Sequence, residues 1–167
     1  FKEEFPQIVF LQDINIHHNY AAIEEHYNRK VWVHRKGATL ARENTTGIIP
    51  GSQGTSSYIV QGLGNESSLQ SCSHGAGRCM SRSKAMRELD LAHEQEILNS
   101  QGIVHRMNEQ ALLDEAPSAY KNIDEVMENQ KDLVKILVKL SPLGVVKASN
   151  EPKPWQKKAN QSAKDTN

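Results

Sequence analysis

The chain has 167 residues, enough for one domain of ordinary size. Its 20 Lys plus Arg balance 20 Asp plus Glu, which excludes the uniformly basic surface of a non-specific nucleic-acid binder. The apolar fraction is 37%. With the glycines added it reaches about 43%, a little under the usual 45–50%, so a core is possible only if part of the chain stays outside it. No run of 18 apolar residues is present. Cys72 and Cys79 have neither disulfide-framework nor zinc spacing, which points to a reducing, cytoplasmic setting. The first residue is Phe1, and no signal-peptide pattern follows it. The missing Met suggests a piece of something longer.

In chain order, Ile8–Leu11 is a short apolar run and reads as a strand. Ile14 and Ile16 alternate with polar residues and lead to His17-His18-Asn19. Neighbouring side chains on a strand point to opposite faces, so only one of the two histidines faces a given site. Residues 20–28 read as short and polar. Val31–His34 is a strand by composition. Ile48-Ile49 enters the loop Pro50–Ser57, PGSQGTSS, and Tyr58–Val60 follows as a strand. Residues 61–71 are a Gly/Ser/Asn-rich connection ahead of SCSHGAGR at 71–78. The spacing of Ala85, Met86, Leu89, Ala92 and Ile97 predicts one helix over Ser81–Leu98. Gly102–Val104 is a possible short strand. The stripe from Ile123 to Val138 predicts a second helix, from Asn122 or Asp124 through Leu140, closed by Pro142. Leu143–Val146 is a candidate last strand. From Ala148 onward the composition turns polar, with few groups to bury, and predicts disorder over 148–167.

Three constellations could carry chemistry. His74 lies among small residues, with Gly75, Ala76 and Gly77 beside it, so a bulky ligand can approach the imidazole and the backbone N–H groups. Arg78 and Arg82 follow, and a helix starting near the glycines would make this a phosphate cradle holding a nucleophile or base. A turn histidine satisfied by backbone fits the same spacing. The loop PGSQGTSS offers small residues and free N–H groups, but no Gly-Lys-Ser/Thr closes it as in a Walker A loop. It equally fits a polar hairpin loop. His17-His18 suits a transition metal, although no carboxylate stands at ligand spacing.

The flat net charge conceals patches. Arg29, Lys30, Arg35, Lys36 and Arg42 form one basic group, and Arg78, Arg82, Lys84 and Arg87 another. Between Glu88 and Glu128 ten acids face only Arg106 and Lys121. These fit solvated faces or, for the bases, a phosphate-binding edge.

Taken together, HHNY (17–20), VWVHRKGAT (31–39), GIIPGSQGTSSYIV (47–60), SCSHGAGR (71–78), MSRSKA (80–85), LDEAPSAYKNIDEVMENQKDLV (113–134) and PLGVVK (142–147) resemble the C-terminal half of the RtcB family of RNA-splicing ligases. The resemblance implies an α+β fold of mixed strands and helices over 1–147, incomplete without the N-terminal half. It implies an enzyme that joins RNA ending in a 3′-phosphate or 2′,3′-cyclic phosphate to RNA with a 5′-hydroxyl, using GTP and Mn²⁺. The guanylylated nucleophile would be His74, and His18 a Mn²⁺ ligand. Asn19, Pro50, Gly51, Ser52, Gln53, Ser57, Gly75, Ala76, Gly77, Tyr120 and Lys147 would contact the guanylate. His17, His26, His34, His93 and His105 inherit no role. The family's other metal ligands and an Asn/His/Glu guanylate motif belong to the N-terminal half. The expected partners are therefore RNA ends and that half, and this chain alone should not ligate. The alternative is a non-catalytic RNA-binding or subunit-interaction fragment that uses Arg29, Lys30, Lys36, Arg78 and Arg82 on phosphates.

Overall fold

The computed structural model describes residues 3–10 and 13–147. The expected polar tail, 148–167, and Leu11 of the expected first strand lie outside the described residues. Seven strands and three α-helices make an α+β fold: β1 (Asn19–His26), β2 (Arg29–Lys36), β3 (Ala38–Leu40), β4 (Thr46–Ile49), β5 (Ser57–Gly62), β6 (Ser71–Ser73), α1 (Arg82–Glu88), α2 (Leu91–Asn99), α3 (Ile123–Glu128) and β7 (Val134–Leu140). The strands form three small antiparallel sheets, β1-β2, β3-β6 and β4-β5-β7.

The β1-β2 ribbon shows why residues 20–28 are not a polar connection. Glu24, His26, Val33 and Arg35 alternate inward, while Ile23 and Trp32 pair on the exposed face. The turn between the strands is Tyr27-Asn28, with φ of 52° and 60°. Two consecutive left-handed residues give the twist a tight hairpin needs. The Tyr27 hydroxyl donates to the Glu66 carbonyl at 2.7 Å and ties the turn to the body of the fold.

Beneath the ribbon lies a charged network rather than an apolar layer. Arg35 is 1% exposed and reaches Glu24 through both terminal nitrogens, the Ser71 hydroxyl at 2.9 Å and the Leu69 carbonyl at 2.8 Å. His26 contacts Glu24 at 3.1 Å and Glu66 at 3.3 Å. Arg35 therefore does not belong to a basic surface patch. The Arg35 guanidinium holds the Glu24 carboxyl at a pKa of about 2, against the cost of burial and with help from His26 and Arg42.

The expected helix Ser81–Leu98 is two helices. Asp90 interrupts the run, and its side chain accepts from the His93 N–H as the N-cap of α2. An oxygen-bearing cap at that point offers the backbone an alternative to continuing α1. The second expected helix stops early. α3 ends at Glu128, and Val134–Leu140 is the strand β7, paired with β5. Its sequence VKILVKL is rich in β-branched residues, and pairing with β5 outweighs the helical spacing of its apolar groups. Ile8–Phe10 join no strand, and Gly102–Val104 and Leu143–Val146 meet only in a parallel bridge between Val104 and Gly144.

Two cores result. Ile49, Tyr58, Val60, Cys72, Ala76, Ile123, Met127 and Val134 fill the space between the β4-β5-β7 sheet and α3. Leu98, Ile103, Met107, Leu113 and Ala116 pack at the end of α2. The His74 segment enters the first core through Ala76. The PGSQGTSS loop touches the second side of the molecule, where the space at Gly54 is closed by Leu98 and Pro117. The two cores thereby hold the candidate site between them.

Candidate functional site

His74 follows β6 directly. Gln130, itself buried, clamps the strand just before it: its amide oxygen accepts the Ser73 N–H at 3.0 Å, and its amide nitrogen donates to the Ser73 hydroxyl at 2.9 Å. The His74 N–H reaches the Gly37 carbonyl at 3.4 Å, and the Gly37 N–H reaches the His18 carbonyl at 3.2 Å. One residue, Gly37, thus connects the two histidine-bearing segments. It takes a φ of 76°, a conformation glycine adopts without strain. The imidazoles of His18 and His74 stand edge to face at 5.1 Å. Burial, and secondarily the neighbouring His18, lowers the His74 pKa, so the half-buried ring is neutral at pH 7.

The segment after His74 lies against the loop. The Ala76 N–H donates to the Pro50 carbonyl at 3.1 Å, and a Cβ on Gly75 would meet that same carbonyl at 3.1 Å. The N–H groups of Gly75 and Gly77 meet no backbone carbonyl among the described residues. Within the loop, the Gly51 N–H donates to the Ser57 hydroxyl at 3.3 Å and the Ser52 N–H to the Thr55 hydroxyl at 2.7 Å. The Ser52 and Thr55 hydroxyls also share a 3.0 Å bond. A side chain on Gly51 would run into the Ser56 carbonyl, so the loop requires glycine there. Gln53 is buried, and its amide donates to the Glu115 carbonyl at 2.8 Å.

Helix α1 begins at Arg82 with Ser81 as its N-cap, where the expected helix starts, and not at the glycines that a phosphate cradle would need. Gly77–Cys79 runs antiparallel to Ala119–Lys121: the Lys121 N–H donates to the Gly77 carbonyl at 2.9 Å and the Cys79 N–H to the Ala119 carbonyl at 3.0 Å. Arg78 and Arg82 reach Glu115. Arg82 donates to Glu115 at 3.0 and 3.1 Å, and Arg78 at 3.4 Å. The Tyr120 hydroxyl donates to the other Glu115 oxygen, and the Lys147 ammonium stands 3.5 Å from it. Arg78 also lies over the Tyr120 ring, 5.0 Å from its centroid.

Of the residues singled out from the sequence, His18 and His74 form one pair. Pro50–Gln53, Ser57 and Gly75–Gly77 form the contiguous wall beside it. Tyr120 and Lys147 meet at Glu115, which the loop reaches through Gln53. Asn19 is exposed at the start of β1. Among the described residues no group of three or more His, Cys, Asp or Glu is placed to hold a metal ion. His18 alone offers one imidazole, so the residues present do not make a Mn²⁺ site. Cys72 is a buried free thiol and Cys79 an exposed one.

Sequence reasoning missed Glu115, which it left among the acids of a solvated stretch, and Gln130. The signal for Glu115 lay in its position within LDEAPSAY, five residues before Tyr120.

A family model described as tRNA-splicing ligase RtcB matches residues 1–148. The chain belongs to the RtcB family. The RNA-splicing ligase RtcB of Escherichia coli (strain K12) is 46% identical over 142 residues, which cover 85% of this chain and 34% of that protein. The tRNA-splicing ligase RtcB of Pyrobaculum aerophilum is 39% identical, over 80% of this chain and 32% of the relative. The RNA-splicing ligase RtcB of Mycobacterium tuberculosis is 37% identical, over 80% of this chain and 35% of the relative. This RtcB-family chain therefore spans about a third of the length of these relatives. No helix among the described residues is long and apolar enough to cross a membrane.

Proposed function

We propose that the chain is the nucleophile-bearing part of an RNA ligase that joins a 3′-phosphate (or a 2′,3′-cyclic phosphate after hydrolysis) to a 5′-hydroxyl. The observation that carries this reading is His74: a neutral, half-buried imidazole beside His18, on a stretch of small residues, in an RtcB-family chain. A neutral imidazole has a free lone pair for attack on phosphorus, and its phosphoramidate is labile enough to pass the group on.

The chemistry balances in three steps. A ring nitrogen of His74 attacks the α-phosphorus of GTP, an N–P bond forms, and pyrophosphate leaves with the electrons of the broken P–O bond. An oxygen of the RNA 3′-phosphate then attacks the same phosphorus and releases His74. Finally the 5′-hydroxyl attacks the RNA phosphate, its proton is lost, and GMP departs. Pro50–Gln53, Ser57, Gly75–Gly77, Tyr120 and Lys147 would bind and orient the guanylate, with Asn19 at the edge. Small side chains at 51, 52, 75, 76 and 77 leave room for it. Mn²⁺ would take His18 as one donor, with its other donors from the N-terminal region of the family. The RNA ends and the N-terminal region of the family are the partners the reading requires.

The test is a fusion of this chain to the part of the Escherichia coli relative that it does not cover, incubated with α-labelled GTP and Mn²⁺. The expected result is acid-labile, base-stable label on the protein, lost in His74→Ala. An unlabelled fusion beside a labelled Escherichia coli parent would sink the reading. The chain by itself should remain unlabelled and should bind GTP weakly at best.

A further inference from the structure

Glu115 is the meeting point of four separate parts of the chain. Its carboxylate accepts from Tyr120, Arg82 and Arg78 and pairs with Lys147, while its backbone carbonyl accepts from Gln53. Its side chain is 17% exposed, whereas those of Arg82 and Lys147 are 68% and 48% exposed. The long flexible cations are thus gathered onto a fixed anion. Burial opposes ionisation of Glu115, but the Tyr120 hydroxyl, Arg82 and Lys147 outweigh it and hold the carboxyl below its usual range.

We propose that Glu115 is a positioning residue for nucleotide binding: it fixes the Tyr120 phenol and the Lys147 ammonium on one side of the loop Pro50–Ser57. This inference rests on the guanylate reading above and assigns Glu115 no contact with the nucleotide. The geometry favours positioning over simple charge. Among the described residues the Lys147 ammonium pairs with Glu115, and this ion pair orients its four-carbon side chain. An unrestrained lysine would lose rotamer freedom on meeting a ligand, which weakens binding. Glu115 removes that freedom beforehand. The same carboxylate fixes the Tyr120 hydroxyl as a donor toward it, which leaves the phenolic oxygen's lone pairs for Arg78, at 3.3 Å, or for a ligand donor.

The two accounts predict opposite outcomes. Neutralising Glu115 makes the surroundings more positive, so if it acted through charge alone Glu115→Gln would tighten an anionic nucleotide. If it positions Tyr120 and Lys147, the same change weakens binding. The experiment titrates GMP into the fusion described above, wild-type and Glu115→Gln, by saturation-transfer NMR and, without ligand, titrates the Tyr120 ring with pH. Burial first, then the bond to Glu115, raises the Tyr120 pKa. The expected results are a Tyr120 midpoint shifted down in the variant and GMP affinity lowered about tenfold. Affinity equal to or tighter than wild type overturns the inference and leaves the guanylate reading intact. A wild-type fusion that binds no GMP at millimolar concentration overturns both. Should Glu115→Gln fail to fold, Glu115→Asp, which keeps the charge and withdraws the carboxylate by one methylene, carries the same expectation for GMP.

Discussion

His18 and His74 come from opposite ends of the chain's first half, and their rings stand edge to face at 5.1 Å because Gly37 bonds to both backbones. The neighbour acts on His74 in the same direction as burial, against protonation. Replacing His18 with Gln removes one of these two influences. We expect the His74 pKa to rise in that variant yet stay below the ordinary histidine value, because burial, the larger cause, remains. A pH titration of the His74 ring carbons by NMR measures this, and an unchanged midpoint would show that the two rings do not sense each other. Where a neutral His74 is the nucleophile, its labelling by GTP in the fusion rises as pH passes upward through its pKa.

The loop beside that pair depends on Gly51. A methyl group there collides with the Ser56 carbonyl, which is backbone and cannot swing aside. Gly51→Ala should cost about 1–3 kcal/mol in overpacking and displace the Gly51 N–H from the Ser57 hydroxyl. Chemical denaturation gives the stability, and GMP titration gives the site. Loss of GMP binding with wild-type stability, or the reverse, would contradict a loop whose shape and ligand surface are one feature.

How far the sequence disclosed this arrangement differs between site and fold. HHNY, PGSQGTSS and SCSHGAGR were legible because each is a short contiguous run whose residue types alone suggest chemistry. Gly37, Gln130 and Glu115 were not, because the Gly37–His74, Gln130–Ser73 and Glu115–Arg78 bonds each join residues at least 37 apart. The same limit applies to β7. Its apolar groups fit a helical stripe when read alone, and only the antiparallel register with β5, Ser57 opposite Leu140 through Gly62 opposite Val134, makes it a strand. Hydrogen exchange distinguishes the two. Among the described residues β7 pairs with β5 on one edge only, so amides from Val134 to Leu140 should alternate between protected and fast, with the phase altered near the irregularity opposite Ile59 and Val60. A continuous protected run would mean helix.

The buried network under the β1-β2 ribbon makes stability depend on pH in a defined direction. The Glu24 pKa falls from an ordinary 4.5 to about 2 on folding, chiefly because Arg35 donates to it. The unfolded chain therefore binds this proton more tightly than the folded one. The resulting stability is fully present above about pH 4.5 and disappears as pH falls through 4.5 toward 2. Its size is on the order of 3 kcal/mol. Glu24→Gln should lose this acid-dependent part and, by leaving Arg35 buried without its anion, cost about 3–5 kcal/mol near neutral pH. Urea unfolding of both proteins at pH 7 and pH 3 measures the effect. The gap between them should be wide at pH 7 and narrow at pH 3, and a gap independent of pH would mean that Glu24 is not ionised in the fold.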